Sequence, residues 1–265
     1  ETLYQKKAEL LTAFRTVYPD IIGAYEKIRF STKDLPESQF LYGEQAPEPL
    51  LVTENGVQFA TYLNEGLMTG IFLDQKEVRG RLVDGFAVGK TVLNMFSYTG
   101  AFSVAAAMGG AVATTSVDLA KRSLPKTTEQ FEVNHLNLAP QKIIVMDVFD
   151  YFKYASRKGL SYDMIILDPP SFARNKKKVF SVAKNYGELV KDSIDILTDK
   201  GTLIASTNAA NLSLAKYQKM VITALQEKNV RYKITDTYQL PADFQVNPNF
   251  PEGNYLKVLF IEIEK

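Results

Sequence analysis

The stretch of this chain most committed to chemistry is Asp168-Pro169-Pro170-Ser171-Phe172. Two prolines directly after a short apolar run cannot donate to a strand ladder, and they fix the backbone in an extended turn. Such a turn directs the Pro169 carbonyl and the Phe172 ring beyond the strand end, with Pro170 holding it stiff. A flat base suits it: a ring on which to stack, and a carboxylate and a carbonyl to accept from an amino edge. Asp118 and Asp147 end two other apolar runs in the same manner. Asp118 is placed to accept from ribose hydroxyls and Asp147 from an adenine amino group, while the Val148 amide donates to an adenine ring nitrogen. Each acid alone reads as readily as a helix N-cap. Three at matching strand ends point to one ligand.

The stretch from Thr91 to Asp118 sharpens that ligand. A short apolar strand runs into a turn carrying Phe96, Ser97, Tyr98 and Gly100, then a small-residue helix from Ala101 to Met108 that Gly109-Gly110 stops. Only one glycine stands where a pyrophosphate loop needs the backbone open in three places, which disfavours NAD and FAD. A ligand with ribose and adenine but no phosphate fits, and S-adenosylmethionine is the commonest such cofactor. After the fifth strand comes Ala205-Ser206-Thr207-Asn208-Ala209, which offers Asn208 at the same rim. Beyond the double proline lie Arg174, Lys176, Lys177, Lys178 and Lys184 with Phe172, Phe180 and Tyr186 interleaved. Beside a base pocket, that mixture favours contact with a phosphate backbone over a merely solvated loop.

The positioning elements alternate in type. Strand-like runs at Thr91 to Phe96, Ala111 to Val117, Lys142 to Met146, Met164 to Leu167 and Thr202 to Ser206 interleave with helical stretches at 101–108, 120–134, 148–156, 181–197 and 213–227. This predicts an α/β fold, a parallel sheet wound with helices on both faces. Two more strands, Tyr232 to Tyr238 and Tyr255 to Ile263, close it as an antiparallel pair, giving a Rossmann-like, mostly parallel seven-stranded sheet. The first 75 residues differ. An amphipathic helix over Leu3 to Val17, a strand over 21–30, a core-poor surface connection over 31–49 and a hairpin turning at Asn55-Gly56 predict a small α+β domain, followed by a larger domain over 76–265. Asp74 is expected to cap a helix running to Phe86.

Composition narrows the chemistry. With 46% hydrophobic and 23% charged residues over 265 positions, the chain is expected to be a globular, cytoplasmic protein with no membrane association. It has no cysteine, hence no thiolate zinc site and no thiol nucleophile, and its one histidine, His135, lacks companions at ligand spacing, so no metal is expected. A net charge of +1 leaves a nucleic-acid partner open, because local patches attract phosphates. The chain begins at Glu1 without a Met, which is expected of a piece of a longer protein.

With these residues placed, the chain resembles the bacterial class I methyltransferases of the RlmI and RlmK type, which modify 23S ribosomal RNA. The motifs GIFLDQKEVR, LNMFSYTGAFSVAAAMGGA, VDLAKRSL, Asn134-His135-Leu136, MDVFDYF and LDPPSFARNKK carry the likeness over nearly the whole length. It implies S-adenosylmethionine as cofactor and 23S rRNA as partner, and it leaves a homodimer open. It places Phe72, Asp74, Gln75 and Arg79 close to the cofactor, and gives Asp118, Asp147 and Asp168 the roles argued above. RlmI-group members usually carry an RNA-binding PUA domain ahead of a small central domain; here the small domain is expected and the PUA portion is absent.

One departure bears on mechanism. Cytosine-C5 members of the family have a cysteine after the fifth strand, which adds to the pyrimidine so that C5 becomes nucleophilic. Asn208 stands there instead. Guanine-N7 members have Ser-Asn-Asn at this place, which Ser206-Thr207-Asn208 resembles, and N7 brings its own lone pair. The expected activity is therefore methyl transfer to guanine N7, with Asn208, Asp168 and the Pro169 carbonyl orienting a flipped base. The alternatives are cytosine C5, an exocyclic amino group, and an RNA-binding assembly factor without catalysis.

Overall fold

A computed structural model describes residues 2–30, 34–175 and 178–265. The chain divides into two compact units, Glu1–Val52 with Phe59–Ile71, and Thr53–Gln58 with Phe72–Lys265. The division falls after Ile71, so Phe72, Asp74 and Gln75 belong to the larger unit.

The smaller unit opens with α1 (Thr2–Gln5) and α2 (Lys7–Val17), which break at Lys6 where one continuous helix was expected. No residue of α2 is buried, and Leu10, Phe14 and Val17 lie exposed. Strand β1 (Gly23–Lys27) pairs antiparallel with β2 (Ser38–Gly43), so the stretch read as a core-poor surface connection contains a strand, none of whose residues is buried. Gln39-Phe40-Leu41-Tyr42 has enough apolar surface for a strand despite its proline-rich flanks, and the Phe40 ring meets Tyr25 edge-on at 5.3 Å. Then comes the expected hairpin of β3 (Leu50–Glu54) and β4 (Val57–Thr61). Its turn residues Asn55 and Gly56 both have positive φ, 52° and 76°, as a two-residue turn matched to strand twist requires.

The larger unit contains the hairpin tip, a short 3₁₀ turn at Leu73–Gln75, α3 (Lys76–Arg81) and a π turn over Leu82–Phe86. It continues with β5 (Thr91–Met95), α4 (Ala101–Met108), β6 (Ala113–Asp118), α5 (Ser123–Glu132), β7 (Gln141–Val145), α6 (Val148–Arg157) and β8 (Tyr162–Leu167). Next are a small hairpin of β9 (Phe172–Asn175) and β10 (Lys178–Ser181), then α7 (Val182–Ile196), β11 (Leu197–Thr207), α8 (Leu214–Glu227), β12 (Arg231–Tyr238) and β13 (Lys257–Glu264). Seven of the strands form one sheet in the order β12-β13-β11-β8-β5-β6-β7.

The order reverses at β5, with β8 on one side and β6 on the other. That is the switch point beyond whose carboxyl ends an open α/β sheet binds ligands. Only β13 runs against its neighbours, inserted between β11 and β12 and antiparallel to both. Side chains alternate across the sheet as the pleat demands. Leu93, Ile165, Leu203 and Leu259 face a core shared with α6, α7 and α8, whereas Val92, Met164, Ile204 and Val258 face one shared with α3 and α4. Both faces are dry, so the sheet fixes its strand ends and hence the loops that leave them.

Candidate active site

The loop leaving β5 bends sharply. Phe96 and Tyr98 adopt left-handed backbone conformations, φ 59° and 52°, as does Gly100 at 78°. Left-handed aromatic residues are costly and persist where surrounding contacts over-determine them. Those contacts are visible: the Ser97 amide donates to the Val117 carbonyl at 3.0 Å, and the Tyr98 amide to Asp118 Oδ2 at 2.9 Å. Asp118 Oδ1 also accepts from the Ala120 amide at 2.8 Å. Asp118 thus ties the loops after β5 and β6 to each other. Gly100 admits no side chain, because a Cβ there would stand 2.4 Å from Thr127 Cγ2 of α5.

Asp147 caps α6, its Oδ1 accepting from the Phe149 and Asp150 amides at 3.1 and 3.4 Å, and Val148 opens that helix, buried. The cap and the ligand role are compatible, since a carboxylate has a second oxygen to offer. Asp74 is not the helix cap the sequence suggests. It sits inside the 3₁₀ turn before α3, where its charge adds to burial in raising the proton affinity of the Tyr255 hydroxyl and its Oδ1 is buried without a partner among the described residues. The reason is that the chain tightens before it enters the helix, so the extended residue is Phe72, two positions earlier.

Asp168 lies at the end of β8, where its Oδ1 accepts from Gln75 Nε2 at 2.8 Å and Ser206 Oγ at 2.9 Å. Burial pushes its carboxyl up to about 6. The Ser206 hydroxyl opposes that rise, the nearby Asp74 charge adds to it, and Arg79 and the Gln75 amide again oppose it. Ser206 is held in turn by Tyr186, whose buried hydroxyl donates to the Ser206 carbonyl at 2.8 Å and accepts from Tyr217 at 2.7 Å. Beside this network Ser171 Oγ donates to Asn208 Oδ1 at 2.5 Å, joining the double-proline turn to the end of β11. Pro169 is buried, Pro170 exposed, and the Phe172 ring 61% exposed.

The Phe72 ring lies 5.5 Å from that of Tyr98. Arg79 reaches the site through Phe72. The guanidinium grips Glu54 with two bonds of 2.7 and 2.8 Å and donates to the Phe72 carbonyl at 2.8 Å. Its role in this arrangement is to hold the hairpin tip and the Phe72 backbone.

The basic run divides. Arg174 and Lys178 belong to the paired strands β9 and β10, a hairpin the sequence reading does not anticipate, while Lys176 and Lys177 lie outside the described residues. Of the aromatics read as interleaved with it, Phe172 is exposed, whereas Phe180 and Tyr186 are buried. Phe180 packs 6.0 Å from the Phe96 ring and Tyr186 is fully buried in the core, because α7 begins directly after β10 and turns them inward.

Sequence reasoning missed Ser206, Tyr255 and Lys257. The available signal was the pair of hydroxyls, Ser206 and Thr207, ending the apolar run of β11 and a lysine opening the apolar run of β13, each a polar residue where the strand pattern calls for a buried one. Among the described residues no cluster of potential ligands could hold a metal ion, and no helix is long and apolar enough to cross a membrane.

A family profile described as S-adenosylmethionine-dependent methyltransferase matches residues 26–242. The chain belongs to that family. Its sequence is 51% identical over 262 residues to YwbD of Bacillus subtilis (strain 168), provisionally named a ribosomal RNA large subunit methyltransferase; the match covers 98% of this chain and 66% of that protein. It is 31% identical over 258 residues to ribosomal RNA large subunit methyltransferase I of Aeromonas salmonicida (strain A449), covering 96% and 65%. The crystal structure of SMU.776 complexed with SAH, provisionally described as a methyltransferase, superposes with a TM-score of 0.93 at 54% identity, covering 99% of this chain and 67% of that one. This methyltransferase-family chain thus spans about two thirds of the length of these relatives. The seven-stranded, mostly parallel sheet is the Rossmann-like methyltransferase fold that the alternating pattern anticipates.

Proposed function

We propose that this chain uses S-adenosylmethionine to methylate a base of 23S ribosomal RNA, at guanine N7. The residues fit the cofactor. Asp74 Oδ1, Gln75 Oε1 and Ser97 Oγ are polar atoms left without hydrogen-bond partners among the described residues, and a ligand bearing an ammonium and a carboxylate would satisfy them. Phe72, Tyr98, Gly100, Asp118, Asp147 and Val148 would line the adenosine side. When bound, S-adenosylmethionine supplies an electrophilic methyl group whose bonding electrons stay with the departing sulfur. Guanine N7 contributes a lone pair and loses no proton, so the chain's task is alignment. Asp168 and the Pro169 carbonyl would accept from the base's amino edge, the Phe172 ring would stack, and Arg174 with Lys176, Lys177 and Lys178 would take phosphates.

The observation that carries guanine N7 is the pairing of Asn208 with Ser171 in a chain that has no cysteine. A base next to Asp168 meets an amide there, and no thiol is available to add to a pyrimidine. The Asp168 carboxyl, raised to about 6, favours one second reading: transfer to an exocyclic amine, which must lose a proton to a nearby acceptor. Mass-spectrometric nucleoside analysis of 23S rRNA from cells with and without the full-length protein separates these outcomes. Loss of 7-methylguanosine alone supports the proposal, and loss of an N-methylated exocyclic amine supports the second reading. Loss of 5-methylcytidine alone overturns both.

A further inference from the structure

Lys257 is 3% exposed, and among the described residues no carboxylate pairs with it. Its ammonium donates to two backbone carbonyls, that of Ala209 at 3.0 Å and that of Tyr255 at 2.8 Å. A buried ammonium without a counter-charge is expensive, and its neighbours lower its proton affinity by excluding water. A methionine of similar length would fill the same space without burying a charge, so packing alone does not account for the residue. Its place in the sheet supplies a reason. Because β13 runs against its neighbours, its first residue arrives at the edge where the parallel strands end, and Lys257 sits opposite Thr207. From there it touches the residue after Asn208 on one side, and on the other the backbone of Tyr255, whose hydroxyl feels the Asp74 charge.

We propose that Lys257 is a positioning residue for the methyl acceptor, fixing the Asn208-Ala209 peptide against the Tyr255–Asp74 segment so that base side and cofactor side keep one separation. The inference rests on the transfer reaction proposed above. A misplacement of about 1 Å at such a site costs up to roughly 100-fold in rate.

The test uses the full-length protein with Lys257→Met and Lys257→Arg. For Lys257→Met we expect unchanged or raised thermal stability, affinity for SAH within about twofold, faster amide exchange across residues 208–212, and a kcat on a 23S rRNA transcript lower by about tenfold or more with little change in KM. Lys257→Arg, which keeps charge and donors, should restore slow exchange and part of the rate. Loss of folding or of stability in Lys257→Met would make the lysine a structural residue and overturn the proposal, as would wild-type exchange or a wild-type kcat. If the wild-type protein methylates no RNA, the proposed reaction fails on its own, while the exchange and stability data still decide whether Lys257 holds this peptide.

Discussion

The two sides of the proposed site, one for the cofactor and one for the methyl acceptor, are held by different means. On the cofactor side the loops are pinned by backbone amides: Asp118 takes those of Tyr98 and Ala120, and Asp147 takes those of Phe149 and Asp150. On the acceptor side, side chains hold one another, through Gln75, Ser206 and Asp168, and through Ser171 and Asn208. A carboxylate bonded to backbone amides sets the shape of the loops that carry those amides. A carboxylate bonded across strands depends on residues brought together by the whole fold, and it can be buried enough to resist ionisation. Substitutions on the first side should therefore be felt as lost stability and cofactor affinity, and on the second as lost rate at little or no cost to stability.

The largest effect is expected at Arg79. Its ion pair with Glu54 is buried, the two side chains being 2% and 9% exposed, and removing one partner strands the other. Arg79→Met should cost about 3–5 kcal/mol in urea or thermal unfolding, since the surviving carboxylate stays buried without a partner. Near-wild-type stability would mean that the hairpin tip and the Phe72 carbonyl are held in some other way, and the contrast between the sides would lose its strongest support.

Asp168→Asn should behave in the opposite sense. An amide keeps an acceptor for Gln75 and Ser206 but cannot supply the negative charge that the base's amino edge requires, so kcat/KM should fall by about 100-fold. Stability should rise. Between the ordinary value of 3.8 and about 6, the folded carboxyl keeps a proton that the unfolded one has released, so stability falls as pH rises through that window and stays lower above it. At pH 7.5 the variant should melt higher, on the order of 3 °C. Wild-type kcat/KM should decline as pH drops below about 6, and Asp168→Asn should lack that limb. A variant that is both inactive and less stable would place Asp168 with the structural carboxylates.

How much of this could be read beforehand follows the same division. The strand ends and their acids were legible, because a buried parallel strand is a continuous apolar run and whatever polar residue ends it stands out. So was the Asn55-Gly56 hairpin, whose turn chemistry is local. Neither the Ser206–Gln75–Asp168 network nor the arrival of Lys257 was legible. Gln75 and Ser206 are 131 positions apart, and nothing near either of them announces the pairing. The insertion of β13 between β11 and β12 is likewise a matter of topology, which an apolar run does not encode. Asp74 was misread as a cap because an acid before a helix usually is one, and the tighter 3₁₀ turn that displaces it leaves no mark in residue types.

Gly100→Ala tests the cofactor side more finely. The new methyl would meet Thr127 at 2.4 Å on a backbone with φ 78°, and strain of about 2 kcal/mol is expected in unfolding experiments. Because Gly100 also shapes the loop that carries Tyr98, SAH affinity measured by calorimetry should fall as well, with kcat at saturating cofactor nearly unchanged. A variant that lost stability but bound SAH normally would separate the loop's shape from its ligand.

Ser171→Ala makes the smallest change and the sharpest comparison. It deletes one hydrogen bond, at the rim of the site, between the half-buried Ser171 and the exposed Asn208. A neutral hydrogen bond of this kind contributes about 1 kcal/mol, so the expected loss is roughly fivefold in kcat/KM, with melting temperature and SAH affinity at their wild-type values. The bond matters because the Ser171 hydroxyl occupies the Asn208 oxygen and leaves the amide nitrogen to face the acceptor. An unrestrained Asn208 can turn its oxygen there instead, toward atoms that need a donor. Ser171→Thr, which keeps the hydroxyl, should recover most of the rate. A Ser171→Ala rate equal to wild type would show that Asn208 orients itself without the turn, leaving the acceptor side to be held by Asp168 and its partners alone.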